Sequence, residues 1–170
     1  MQDPRYDKLA DVLVEHSTTV ETGERVLVEA FDIPDEMVLS LIRRIRDAGG
    51  VPLVSVKHQR IMRELVVAGD DAATAAGDVE AYRMKQVQAY MGLRGSHNVK
   101  ELSDVSSRAM QNYEQNWMKP VHLDIRVPDT KWVVLRWPLP SMAQQAGMST
   151  EAFEDFYFDV CTLDYGKMSR

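Results

Sequence analysis

At 170 residues, with 45% hydrophobic and 27% charged side chains, the chain is the size of one globular domain and can bury a core without disulfides or a structural metal. Its 26 acidic against 20 basic residues, a formal charge of −6, give no electrostatic support to a general nucleic-acid or anionic-membrane surface. The single cysteine, Cys161, excludes an internal disulfide framework and suits a reducing, cytoplasmic setting, and no apolar run approaches the ~20 residues that a membrane-spanning helix needs. Met1 to Asp11 carries no apolar core of a signal peptide, so a soluble protein is expected.

The first element is an amphipathic helix over Pro4 to Ser17, with Leu9, Val12, Leu13 and His16 at helical spacing. After Gly23, the β-branched run "RVLVEAF", Arg25 to Phe31, predicts a buried strand. In "DIPDEMVLSLIRRIRDAGG" the positions Val38, Leu41, Ile42 and Ile45 recur at i, i+3, i+4 and i+7, Asp35 and Glu36 complement a helix amino terminus, and Gly49-Gly50 stops it. "VPLVSV", Val51 to Val56, then closes a strand-helix-strand unit of the length a right-handed parallel crossover requires.

A further helix is expected over His58 to Ala68, followed by a solvated loop or helix lead-in at 69–78 and a helix over Asp78 to Val87. "AYMGLRG", Ala89 to Gly95, reads as the third strand. From Ser103, the spacing of Val105, Ala109, Tyr113 and Trp117 predicts a long helix, broken or restarted near Pro120. "KWVVLRW", Lys131 to Trp137, is the fourth strand, ended by Pro138 and Pro140, which cannot donate ladder hydrogen bonds. Ser141 is placed to cap a short helix stopped by Gly147, and Ser149 to cap a second, whose stripe is Phe153, Phe156, Tyr157 and Val160. Strands alternating with helices give a single α/β domain over residues 1–170, a three-layer sandwich with a mostly parallel sheet of about four strands.

The residues describe no complete active site. His16, His58, His97 and His122 are far apart, with no His-Glu-x-x-His and no cysteine pair, so neither a catalytic residue nor a metal ligand is assigned in this chain. The turn after the first strand, "EAFDIPDE", is acidic and lacks the glycines of a phosphate cradle. There is no Gly-x-Ser-x-Gly elbow. "GLRGSHN", with Arg94 at the carboxyl end of a strand, is the better anion candidate, against a plain turn with an exposed arginine. Trp137-Pro138 stands at the sheet edge where open α/β folds place ligand crevices.

The run "LRWPLPSMAQQAGMSTEAFEDFYFDVCTLDY", with "ERVLVEAFDIPDEMVLSLIRRIRDAGGVPLV" and "YMGLRG" before it, resembles the amino-terminal half of the thermophilic-type metallo-aminopeptidases, the aminopeptidase T and aminopeptidase S group. The resemblance extends from about Arg5 to the end of the chain, and its most specific part is Trp-Pro-x-Pro-Ser-Met-Ala-Gln followed by Met-Ser-x-Glu-x-Phe-Glu-Asp-Phe. It implies an exopeptidase that removes amino-terminal residues from peptides with two divalent metals, zinc or cobalt, in a homodimer. It also implies that the metal ligands lie in a carboxyl-terminal catalytic domain, so this chain is expected to be the non-catalytic amino-terminal lobe of a longer two-domain protein, holding no metal itself. Arg94, Arg136, Trp137 and Pro138 are its candidates for the substrate cleft or the interdomain face. The alternative is a stand-alone α/β binding or interaction module with a crevice around Arg94 and Trp137.

Overall fold

The computed structural model describes residues 3–163; Asp164 and Tyr165, the end of the family-like run, lie outside them. Four strands, β1 (Arg25–Phe31), β2 (Val51–Lys57), β3 (Ala89–Arg94) and β4 (Lys131–Arg136), form a wholly parallel sheet in the order β2-β1-β3-β4. The strands are β-branched and apolar because both faces of the sheet are covered, which requires helical crossovers between neighbours.

On one face lie α1 (Pro4–Asp11) with its π-wound continuation Val12–Ser17, α2 (Asp35–Asp47) and α8 (Thr150–Cys161). They pack Leu9, Leu13, Leu41, Ile45 and Phe158 onto Val26, Val28, Met91 and Leu93. The other face carries α3 (Gln59–Val67), α4 (Asp70–Met84) and a helix that starts as α5 (Ser107–Tyr113), widens to π winding over Glu114–Arg126 and ends in α6 (Val127–Asp129). Here Leu27 and Tyr90 meet Ala73, Met84, Trp117, Val121 and Ile125. Among the described residues, no helix is long and apolar enough to cross a membrane.

Several local expectations are corrected or sharpened. Of the two expectations for residues 69–78, loop or helix lead-in, the second holds: α4 begins at Asp70, because Asp70 and Asp71 complement the helix dipole and Ala72, Ala73, Ala75 and Ala76 are strong helix formers. The small residues also serve packing, since Gly77 lies so close to the Asn116 carbonyl that a Cβ would have no room. The long helix starts at Ser107 with Ser106 as its cap, not at Ser103, and it is not broken at Pro120. Pro120 has no N–H to donate in either winding, and it is carried inside the π-wound segment Glu114–Arg126 without ending it.

Ser141 does not cap α7 (Pro140–Ala146): Pro140 takes the first turn, and the Ser141 hydroxyl donates to the Ser96 carbonyl. Ser149 does cap α8, accepting from the Ala152 amide at 3.2 Å. On α8 the buried face is Phe153, Tyr157 and Phe158, while Phe156 and Val160 are exposed. The helix packs chiefly against α7 and α1, so only part of its apolar surface is covered.

Candidate functional site

β1 carries one charged residue in its apolar interior, Glu29, only 4% exposed and pointing into the second layer with Leu27 and Phe31. In the parallel register Phe31 stands opposite both Lys57 of β2 and Arg94 of β3, so the carboxyl ends of the two flanking strands bring their cations to Glu29. Glu29 Oε1 accepts from Lys57 Nζ at 2.5 Å, and Oε2 lies 2.8 Å from Arg94 Nη2 and accepts from the Tyr90 hydroxyl at 2.5 Å. Lys57 also reaches Glu80 of α4 at 2.5 Å, whose other oxygen accepts from Trp117 Nε1 at 2.8 Å. The Arg94 guanidinium stacks 4.3 Å above the Phe31 ring.

Burial alone would raise the Glu29 pKa, but the Arg94 and Lys57 charges and the hydrogen bonds from Lys57 and Tyr90 outweigh it and bring it to about 2. His122, buried beside Tyr90 at 5.7 Å between ring centroids, is lowered to about 4, chiefly by burial. Tyr113 is pushed up to about 12, again first by burial.

Glu29, Glu80 and His122 hold donor atoms within 4.8 Å of one another, the geometry of a three-ligand metal site. The residues do not fit a divalent ion. The Lys57 ammonium bridges the two carboxylates where the ion would sit, and each of the four carboxylate oxygens already accepts a hydrogen bond or faces a cation. Two carboxylates against Lys57 and Arg94 make the group neutral, so an added dication would meet uncompensated repulsion. A carboxylate held ionised offers no proton, and both oxygens of each are already directed at cations or hydrogen-bond donors; the cluster fixes the carboxyl ends of three strands to α4.

Of the residues singled out in the sequence, Arg94 and Arg136 are register partners and line one cavity of about 470 Å³ with Gln59, Ser96 and Met142. Arg136 is exposed, whereas Arg94 is no exposed turn arginine but is committed to Glu29. Trp137 and Pro138 are not brought to that cavity: both are buried, and Trp137 packs on the opposite face of the sheet against Tyr6 at 5.3 Å and Phe158 at 5.8 Å. Sequence reading missed Glu29, Lys57 and Glu80. The one available signal was a glutamate in the middle of a strand otherwise read as buried, since such a charge requires a partner.

A wholly parallel four-stranded sheet between two helical layers, with a neutral buried ion network at its carboxyl edge, defines an α/β domain of three-layer type. The chain matches the thermophilic metalloprotease (M29) family over residues 2–167 and belongs to that family. Among solved structures it is similar to wild-type AmpT from Thermus thermophilus, with a TM-score of 0.71 at 18% identity over 94% of this chain and 43% of that one. The chain therefore spans less than half the length of that relative. A putative LacI-family transcription regulation repressor from Corynebacterium glutamicum aligns at a TM-score of only 0.41, with 12% identity over 89% of this chain and 51% of that one. No curated protein sequence matches the chain.

Proposed function

We propose that this chain is the non-catalytic amino-terminal lobe of a two-domain, metal-dependent aminopeptidase that removes amino-terminal residues from peptides. The two catalytic ions, zinc or cobalt, are then held by a carboxyl-terminal domain, and the lobe supports it in a cytoplasmic homodimer. The observation that carries this reading is the family match over residues 2–167 in a chain that spans 43% of AmpT. The Glu29–Lys57–Glu80 network supports it, because the described residues' only ready-made three-ligand group is filled by an ammonium. Arg94 and Arg136 at the carboxyl edge form the wall of the substrate cleft in this reading.

Hydrolysis of leucine p-nitroanilide tests it. The isolated chain supplied with zinc or cobalt is expected to be inactive, and a longer gene product that includes the catalytic domain to be active. Turnover by residues 1–170 alone would overturn the proposal.

The cavity of about 470 Å³ beside Arg136 favours a second reading, a stand-alone α/β binding module. A reading frame that ends at Arg170 would favour it, and one that continues into a His-, Glu- and Asp-rich segment would exclude it.

A further inference from the structure

The two edges of the sheet are built differently. In β4, the amides of Lys131 and Trp137 donate to the Gln88 and Arg94 carbonyls at 3.0 Å, and this register commits the odd-numbered residues to β3. The backbone N–H and C=O groups of Trp132, Val134 and Arg136 therefore point away from the sheet, and among the described residues none of them has a hydrogen-bond partner. On the opposite edge the outward residues of β2 are Pro52, Val54 and Val56. Pro52 has no N–H to offer and the Val54 carbonyl accepts from Arg83 Nη2 at 2.8 Å, so that edge is blunted against a further strand.

Both faces of β4 are also short of cover. Its residues alternate between half-buried and exposed, whereas β3 beside it is buried almost throughout. Val133 and Leu135 line a mostly apolar cavity of about 290 Å³ on one face with Leu9, Leu13 and Cys161, and Val134 and Arg136 line the cavity of about 470 Å³ on the other. Trp132 and Val134 are 43% and 41% exposed. A strand added beside β4 would carry its side chains alternately to the two sides of the sheet where these hollows lie.

The second face sets the charge of such a strand. Arg126 lies 4.4 Å from the Trp132 ring and 5.3 Å from the Tyr90 ring, and its buried Nε and Nη1 have no acceptor. Arg136 stands on the same face of β4 and has no ion-pair partner among the described residues, while Arg94 beside it is held by Glu29 and the cavity has one carboxylate, Glu101. Two arginines thus flank Trp132 and Val134 without counter-charges in a chain of net charge −6. A second copy does not suit this edge. Two-fold antiparallel pairing of the outward residues about Val134 sets Arg136 of one copy opposite Trp132 of the other, where Arg126 already lies.

We propose that the open edge of β4 binds an extended segment of another polypeptide by strand addition, its backbone pairing with Trp132, Val134 and Arg136. The segment alternates apolar residues, on the side of Val133 and Leu135, with acidic residues, on the side of Arg126 and Arg136. The site needs neither a metal nor a catalytic domain, so it is independent of the aminopeptidase reading.

Amide hydrogen exchange of the 170-residue chain, and its binding of two labelled, end-capped heptapeptides that alternate Val with Glu or Val with Lys, test the site. In the free chain the Trp132, Val134 and Arg136 amides are expected to exchange fast and those of Val133 and Leu135 slowly. The Val-Glu peptide slows the first three about tenfold or more and binds about tenfold or more tightly than the Val-Lys peptide. Val134→Pro, which removes an amide that β3 does not use, and Arg136→Glu each weaken the Val-Glu peptide about tenfold or more, with thermal melts confirming that the variants are folded. The proposal is overturned if the three amides are already protected in the free, dilute chain, if rising protein concentration protects them without peptide, if the Val-Glu peptide fails to bind or the Val-Lys peptide binds as tightly, or if binding survives in folded Val134→Pro. Protection in the free chain would leave the proposed lobe function standing, and hydrolysis of leucine p-nitroanilide by the chain would count against that function while leaving this edge standing.

Discussion

The Lys57 ammonium lies 2.5 Å from the Glu29 carboxylate in a layer where Glu29 is 4% exposed, so each removes from the other the cost of a buried, unpaired charge. Removing one partner of such a pair is more damaging than never having had it. Glu29→Ala, which leaves Arg94 with no counter-charge and Lys57 with Glu80 alone, is expected to lower stability by about 3–5 kcal/mol. The urea midpoint, with an unchanged slope, reads this directly.

Acid should weaken the fold in two successive stages. His122 has its pKa lowered from 6.5 to about 4, so the unfolded chain binds its proton first and stability falls as pH drops from about 6.5 to about 4. Glu29 is lowered from 4.5 to about 2, and its contribution, complete above the unfolded value, is lost as pH falls from about 4.5 through about 2. Urea midpoints measured across this range should show both stages. His122→Phe should flatten the upper one and leave the lower.

The two arginines of the edge cavity should separate cleanly. Arg94→Ala strips Glu29 of one cation and is expected to destabilise by about 3–5 kcal/mol, whereas exposed Arg136→Ala should stay within about 0.5 kcal/mol. Trp137→Ala, which empties the aromatic cluster with Tyr6, Tyr157 and Phe158, should cost about 3–5 kcal/mol. Thermal melts of the three variants check the ranking; a near-neutral Trp137→Ala would contradict its place in the core.

Gly77 tests the contact between α4 and the π-wound segment. A methyl group at this position meets the Asn116 carbonyl, so Gly77→Ala should destabilise by about 1–3 kcal/mol despite a gain of about 1 kcal/mol in helix propensity. A stabilising Gly77→Ala would mean that the two helices stand further apart.

The sequence by itself determined the alternation of strands and helices, because each element's burial is written in its own periodicity: "RVLVEAF" and Val38, Leu41 and Ile45 announce their partners without any knowledge of them. It also carried the family, since "WPLPSMAQ" and its neighbours are a pattern in one dimension. Its local failures share a cause. The stretch of Ala73 and Gly77 left loop and helix lead-in open because the value of its small residues is close approach to another helix, and Phe156 stood in the apolar stripe because periodicity shows which face is apolar but not how much of it the neighbouring elements cover. The meeting of Glu29 with Lys57 and Arg94 was decided only by tertiary structure. Charges carry no period, and parallel register joins residues some 30 to 65 positions apart through strand pairing that no local pattern encodes.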